Sequence, residues 1–407
     1  MAIVDMTICA KLYPNLKQRV WLTRQFGNCR FIFNHGIDYC KPKVRKYCRL
    51  AKKNGKRYAR KQRVYPTEKE LDHDLTLMKK ANPWLKISDS RSLQCSLKVL
   101  LRAYQNHFSL GNGYPRYKSR KNHRQSYTTT SIPKQVSNNK LRLAKLGPVK
   151  AHFAMPITEK VKQMTVIHEP DGSYQARLVV KCEKQALPKT GKRIGIDVGL
   201  LHLLNLSNGM KFDFKHYSKF VKNQKYDWEK REARRRIHAK RVIKYFEWAH
   251  YFDNNIPLLD LDDFRNYQKA RIMVAKYSRK IKNQRYNYLQ WLTTWLVRRY
   301  DMIAIENLKV SKMLKNHHLA HSISGGAWRT FRILLQYKCD WYGKTLVPVN
   351  KDYTTQTCCQ CGYNMSKHGH KIQLGIEHWI CPECHQYHDR DTNASRVILK
   401  RALSCAV

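Results

Sequence analysis

The stretch Cys381-Pro382-Glu383-Cys384-His385-Gln386-Tyr387-His388-Asp389-Arg390-Asp391-Thr392-Asn393-Ala394-Ser395 carries both a metal signature and an acidic cluster. Its two cysteines repeat the spacing of Cys358 and Cys361 upstream, so the four form a Cys-x2-Cys-x19-Cys-x2-Cys array. Two such knuckles give the closed tetrahedral thiolate set of structural zinc, which leaves no coordination position for chemistry. Cys359, inside the first pair, and His385 and His388, after the second, are substitute donors, but the two-residue spacing favours Cys358 and Cys361. Immediately beyond the array come Asp389 and Asp391, an acidic pair in a chain of net charge +50. Acids held among so many bases ask for a chemical reason.

The charge itself narrows the function. Lys and Arg number 79 against 29 Asp plus Glu, spread over most of the 407 residues. Self-repulsion on this scale opposes a compact state unless a polyanion neutralises it. Nucleic acid does so, because each Lys or Arg that reaches a phosphate releases condensed counterions. A generic basic surface, or a membrane- or ribosome-associated protein, is the weaker reading. No apolar run approaches the ~20 residues of a membrane helix. The start Met1-Ala2-Ile3-Val4-Asp5-Met6 lacks the layout of a signal peptide, so a cytosolic protein with no membrane partner is expected. Of the 13 cysteines four are clustered, a pattern that in a reducing compartment means metal rather than disulfides. The length allows two to four domains.

Along the chain, Val4, Met6, Ile8, Ala10 and Leu12 alternate and predict a strand ended at Tyr13-Pro14. Asn15 can cap a following helix whose apolar stripe, Leu16, Val20, Phe26, Phe31 and Phe33, runs to about Gly36. Residues 41–65 are densely basic. Helical spacing returns at Leu71-Leu75-Met78 and from Leu93 to Phe108, separated by Asn82-Pro83. After Gly111-Asn112-Gly113, the run Tyr114-Pro115-Arg116-Tyr117-Lys118-Ser119-Arg120-Lys121 interleaves rings with cations and is a candidate nucleic-acid contact. A basic turn with both tyrosines packed inward fits it equally well. Strands are expected at 141–143, 161–167 and 174–182, the last two joined by a hairpin at Asp171-Gly172, so residues 126–185 form a small sheet or barrel.

Strands follow at 194–198 and 203–209. A basic helix over 227–245 pairs with a second over 265–300, in which Ile272, Ala275, Tyr288, Trp291, Leu292, Trp295 and Leu296 face inward. Asp253, Asp260, Asp262 and Asp263 lie in the connector between them, a linker rather than a calcium loop. Met302–Glu306 is a buried strand, Ser324-Gly325-Gly326 starts a helix stopped by Gly343, residues 345–349 form another strand, and the last helix spans 394–403.

Asp197 interrupts one apolar strand, Glu306 ends another, and Asp391 sits where the last helix should begin. Carboxylates from separate strand and helix ends can converge at one edge of a sheet. Such a trio can hold two divalent ions about 4 Å apart that activate water and stabilise a leaving oxygen. Magnesium suits it, a hard cation that uses few carboxylates plus phosphate. A strand-end acid taken singly is more often a cap or a salt-bridge partner. Asp389 rivals Asp391, and spacing does not choose between them.

The ensemble of short motifs resembles the TnpB (OrfB-type) family of insertion-sequence proteins, relatives of the type V CRISPR nucleases. The carrying residues are Leu12-Tyr13-Pro14-Asn15, Arg30-Phe31-Ile32-Phe33-Asn34, Gly113-Tyr114-Pro115-Arg116-Tyr117, Leu141-Arg142-Leu143 with Leu146-Gly147, Gly195-Ile196-Asp197-Val198-Gly199, Ile305-Glu306-Asn307-Leu308, Thr357-Cys358-Cys359-Gln360-Cys361-Gly362 and Asp389-Arg390-Asp391-Thr392-Asn393-Ala394. They stand in family order over nearly the whole chain.

The resemblance implies an α+β multidomain protein. Its parts would be a wedge-like β-barrel (1–14 and 126–187), a helical recognition lobe (15–125), a RuvC-like nuclease domain of the RNase H class (188–350 and 386–407) and an inserted zinc ribbon (351–385). It implies Asp197, Glu306 and Asp391 as the catalytic magnesium ligands, favouring Asp391 over Asp389, and Cys358, Cys361, Cys381 and Cys384 as ligands of structural zinc. It also implies a guide RNA from the element's end, with one protein copy per RNA favoured. Target double-stranded DNA would be cut beside a short target-adjacent motif, in the prokaryotic cytosol or nucleoid. The alternatives are a nuclease or transposase acting on element DNA without a guide, and a nuclease-dead RNA-guided DNA-binding regulator. The acidic connector at 249–264 departs from the continuous helical hairpin of the family.

Overall fold

The alternating residues near the start form strand β1 (Ala2–Tyr13), with Ile8, Ala10 and Leu12 buried. The computed structural model describes residues 2–59, 64–131, 139–199, 201–214, 219–308, 313, 327–350, 352–369, 372–373 and 375–404. Within these the chain divides into one unit of residues 4–182 and another of residues 183–407 with 1–3.

In the first unit, helix α1 (Leu16–Ala59) opens on a reciprocal cap. Asn15 Oδ1 accepts from the Gln18 amide (2.9 Å) while Gln18 Oε1 accepts from the Asn15 amide (3.0 Å). The expected stripe is corrected: Leu16, Val20 and Phe31 are exposed, and the buried face is Leu22, Phe26, Cys29, Phe33, Ile37 and Cys40, spaced by three and four. The helix also runs past Gly36. A Cβ there would lie 2.8–2.9 Å from Leu100 and Leu97, so this glycine is a point of close helix approach, not a stop.

Helices α2 (Glu68–Ala81) and α3 (Ser90–Leu110) stand on either side of a 3-10 turn at Pro83–Ile87, as Asn82-Pro83 foretold. Thr67 and Glu70 make a capping box for α2, and Asp89 caps α3, which ends on left-handed Gly111. Strands β2 (Gln125–Thr129), β3 (Lys140–Leu143), β4 (Gly147–Phe153), β5 (Val161–His168) and β6 (Tyr174–Lys184) join β1 in a sheet of order β2-β5-β6-β1-β4-β3. β2 and β4 were not anticipated, β2 because it is mostly polar and β4 because its short alternation of Val149, Ala151 and Phe153 follows a Gly147-Pro148 pair that reads as a turn.

The second unit holds a five-stranded sheet. Strands β7 (Arg193–Asp197), β8 (Leu204–Leu206) and β9 (Lys211–Phe212) run antiparallel in turn. Helices α4 (Lys219–Phe252) and α5 (Arg265–Arg299) pack along each other. Strand β10 (Met302–Glu306), helix α6 (Trp328–Tyr342) and strand β11 (Thr345–Val349) complete the order β11-β10-β7-β8-β9, with β7, β10 and β11 parallel. The expected helix start at Ser324-Gly325-Gly326 lies outside the described residues. Leu292 and Leu296 are buried as expected, whereas Trp291, expected inside, is half exposed, and Leu289 and Val297 complete the inner face of α5.

A small hairpin of β12 (His378–Ile380) and β13 (Tyr387–Asp389) leads directly into helix α7 (Arg390–Ser404). The helix therefore begins four residues earlier than expected and takes Asp391 into its first turn.

The period of two divides this sheet cleanly. Ile194, Ile196, Ile303 and Ile305 pack on α5 and α6. Met302, Ala304 and Val349, on the other face, pack on Ile398 and Ala402 of α7.

Candidate active site

Asp197 and Glu306 are consecutive neighbours at the carboxyl ends of two parallel strands. The strand register pairs Ile196 with Ile305, and the next residue on each strand is the acid. Both acids are on the α7 face, because the isoleucines before them belong to the other. Asn205 is paired with Asp197, and Lys211 with Asn205. One row across the sheet is thus Lys211, Asn205, Asp197 and Glu306.

Gly195 determines where the third acid arrives. A Cβ at Gly195 would collide with the Ser395 carbonyl and approach Leu399 within 2.9 Å, so only glycine lets α7 lie this close. From that contact, two residues along the strand reach Asp197, about 6.6 Å. Four residues back along the helix reach Asp391, about 6 Å. The two steps match in length, which brings Asp391 near enough to Asp197 for their charges to interact, although among the described residues only the four cysteines bring their ligand atoms within 4.8 Å of one another. Burial, reinforced by the Glu306 and Asp391 charges, holds the Asp197 carboxyl well above the usual carboxylate range. Burial and the Asp389 charge likewise push Asp391 up.

Three carboxylates crowded with little solvent, Asp197 and Glu306 being 7% and 8% exposed, repel one another unless a cation joins them. The donors are hard oxygens, the kind magnesium takes. A cleft of about 140 Å3 opens beside them, lined among others by His202, Lys211, Glu377, Arg390 and Asp391.

Asp389 is differently employed. One carboxylate oxygen caps α7 through the Thr392 amide (2.8 Å), and the other accepts from Lys211 Nζ (2.9 Å). Burial opposes its ionisation, but Lys211 and the Thr392 amide outweigh it and hold the group at about 2. Both oxygens are committed, whereas among the described residues the Asp391 carboxylate has one hydrogen bond, from Asn205 Nδ2 at 3.2 Å.

The four cysteines meet as their spacing requires. Their sulfurs lie within 4.8 Å of one another, with Cys358–Cys384 and Cys361–Cys381 each at 3.6 Å. A tetrahedron with metal–sulfur bonds of ~2.3 Å has edges of ~3.8 Å, so the set fits zinc. Cys359 points elsewhere in function: its amide donates to Asn393 Oδ1 (2.8 Å). His388 Nε2 lies 3.1 Å from Cys358 Sγ, beside the cluster.

Several contacts tie this cluster to the acids, and sequence reasoning missed them. Asn393 Nδ2 also donates to the Thr357 carbonyl (2.7 Å), so one buried carboxamide clamps the first knuckle to α7. Lys400 Nζ donates to the Cys359 carbonyl. Thr354 Oγ1 donates to Glu306 Oε1 at 2.5 Å. Asn205 was missed as well, although a polar residue between Leu204 and Leu206 is a signal that could have found it.

In the 114–121 run both tyrosines are engaged by their own lobe while remaining partly exposed. Tyr114 packs edge-on against Tyr104, with the hydroxyls 3.2 Å apart, and Tyr117 donates to Asp38 (2.5 Å) beneath Lys41. Arg116, Arg120 and Lys121 remain exposed. On α4, Arg231, Arg234, Arg235 and His238 line a basic cleft of about 430 Å3. Among the described residues no helix is long and apolar enough to cross a membrane.

Comparison with known proteins adds sequence kinship. Family models match residues 176–317 (OrfB/IS605, described as "Probable transposase"), residues 328–398 ("Cas12f1-like, TNB domain") and residues 1–46 ("Helix-turn-helix domain" of OrfB/IS605). Over 1–46 the structure has one strand and part of a single helix. A Streptomyces pristinaespiralis protein named "Putative RNA-guided DNA endonuclease" is 31% identical over 402 residues, covering 97% of this chain and 89% of that one. The Escherichia coli K12 "Putative RNA-guided DNA endonuclease InsQ" is 28% identical over 407 residues, covering 96% and 90%. A solved Cas12f1–sgRNA–target DNA complex aligns over 97% of this chain and 98% of its own, at 11% identity and a TM-score of 0.47.

Proposed function

The chain belongs to the TnpB (OrfB-type) family of insertion-sequence proteins, and from that premise we propose that it is an RNA-guided endonuclease that cuts double-stranded DNA beside a short target-adjacent motif. The observation that carries the reading is the convergence of Asp197, Glu306 and Asp391 from β7, β10 and α7 at one sheet edge. Relatives that match nearly the whole chain bear names stating this activity. Guide–target base pairing reads the sequence, and the protein contacts backbones, which two nucleic acids and a net charge of +50 support.

In this RuvC-like reading the three acids hold two magnesium ions, which when bound activate the attacking water and stabilise the leaving oxygen. The chain's own part is positional. Thr354 orients Glu306, Asn205 orients Asp391, and Asp389 with Lys211 fixes the start of α7. Cys358, Cys361, Cys381 and Cys384 bind structural zinc and make the ribbon (351–385) a rigid strut between the nuclease segments (188–350 and 386–407). The mixed sheet (1–14 and 126–187) serves as the wedge-like domain and residues 15–125 as the recognition lobe.

The test is to purify the protein from its host, sequence the RNA that accompanies it, and assay cleavage of matching DNA with and without that RNA. Guide-dependent cutting is expected, abolished by Asp197→Ala with guided binding retained. Cleavage at a fixed site without RNA would instead identify a guide-free nuclease or transposase. Guided binding with no cutting by the native chain would identify a regulator.

A further inference from the structure

Asn205 is fully buried in the middle of the sheet, on the face that carries the acids, directly across from Asp197. Its Nδ2 donates to Asp391 Oδ2 at 3.2 Å, while its Oδ1 is buried and accepts no hydrogen bond among the described residues. Turning the amide over would bring its oxygen against the Asp391 carboxylate, so the contact with Asp391 sets the orientation. A buried carbonyl left without a donor costs roughly 1–3 kcal/mol, and such a cost persists in a core only where something is gained. The neighbourhood is built to keep the amide where it is. A Cβ at Gly199 would lie 3.1 Å from Asn205 Nδ2, 2.8 Å from the His202 carbonyl and 3.9 Å from Asp391 Oδ2, so a larger residue would crowd the Asn205–Asp391 contact. Lys211, the next residue in the same row, is drawn away to Asp389.

We propose that Asn205 is a fourth polar member of the acid centre, a positioning residue whose N–H orients Asp391 and whose carbonyl oxygen accepts from the water shell of the divalent cation held there. The proposal rests on the metal-dependent reading of the three acids. An asparagine suits this place better than a fourth carboxylate, because it supplies one donor and one acceptor without adding charge to a crowded site.

The test uses the zinc-loaded protein with its guide RNA and follows the shift in melting temperature as Mn2+ is added. The part of that shift lost in Asp197→Ala belongs to the acid centre. Asn205→Leu, close in shape, is expected to melt like the wild type without Mn2+, to lower Mn2+ affinity at this site roughly 10–100-fold, and to raise the Mg2+ needed for half-maximal cleavage by a similar factor. Asn205→Ser, which keeps a short acceptor, should fall between, and decides the matter if the leucine variant does not fold. Affinity within about twofold of wild type in the folded variant would overturn the proposal. If Asp197→Ala also left the Mn2+ response unchanged, the fault would lie with the metal centre as a whole, not with Asn205.

Discussion

At the scale of single residues, the acids differ by what surrounds them. Asp389 and Asp391 sit two apart in one turn, yet the first is neutralised by Lys211 and a helix amide while the second faces Asp197 and Glu306. The first is a cap and the second a candidate ligand. Crowding of like charge also carries a stability cost, which separates function from folding. Asp197→Asn should abolish cleavage and yet raise the melting temperature of the zinc-loaded, magnesium-free protein by roughly 2–4 °C, because it removes one of three repelling charges without changing shape. A melting temperature below that of the wild type would show that the carboxylates are held by attraction rather than tolerated.

At the scale of elements, two staples organise the nuclease sheet. At its carboxyl edge the cysteine cluster, through Asn393, Lys400 and Thr354, locks α7 and Glu306 together. Cys381→Ser, or removal of metal by a chelator, should therefore release zinc, lower thermal stability and abolish cutting, with zinc content by elemental analysis as the readout. Retained zinc with full stability would mean the four sulfurs are not the ligands.

At the opposite edge Asp301 ties the starts of three parallel strands. Its carboxylate accepts from buried Lys344 (2.6 Å) before β11 and from the Thr190 (2.7 Å) and Gly191 (2.6 Å) amides before β7, and it directly precedes β10. The Lys344 hydrogen bond, helped by those amides, holds the group at about 2. Its folded value is below the unfolded one of about 3.9, so the stabilisation is complete above that pH and lost as pH falls toward 2. Asp301→Asn should flatten that acid limb of the stability curve and cost roughly 3 kcal/mol near neutrality, since it leaves Lys344 buried without its counter-charge. Urea titrations at pH 7 and pH 3 measure both effects, and parallel curves for the two proteins would refute them.

At the scale of the whole molecule, a net charge of +50 makes the chain a polyanion receptor before any particular contact is made. Guide-RNA affinity should fall about 10³–10⁵-fold between 50 and 200 mM salt if six to ten phosphates are neutralised. A flat salt response in a filter-binding or anisotropy titration would count against nucleic acid as the neutraliser.

Much of the design was legible in the linear chain. The cysteine array, Asn15 as a cap, Gly343 as a stop and the strands about Asp197 and Glu306 are written in local spacing, which survives whatever the chain does at a distance, whereas the choice of Asp391 as the third acid came from the family resemblance. The errors share one cause. Gly36 resembled a helix stop and Trp291 a core residue, because each reading depends on a partner far away in sequence: Leu97 and Leu100, and the face turned to α5's neighbours. The sequence by itself determined which chemistry the chain carries, a four-cysteine array able to hold a metal, hard carboxylates and a basic surface, since these reside in residue type and short-range order. Only the tertiary structure decided how they meet. The packing of α7 on Gly195 and the registration of Asn205 beside Asp197 depend on which distant segments share one sheet face, and no local spacing encodes that.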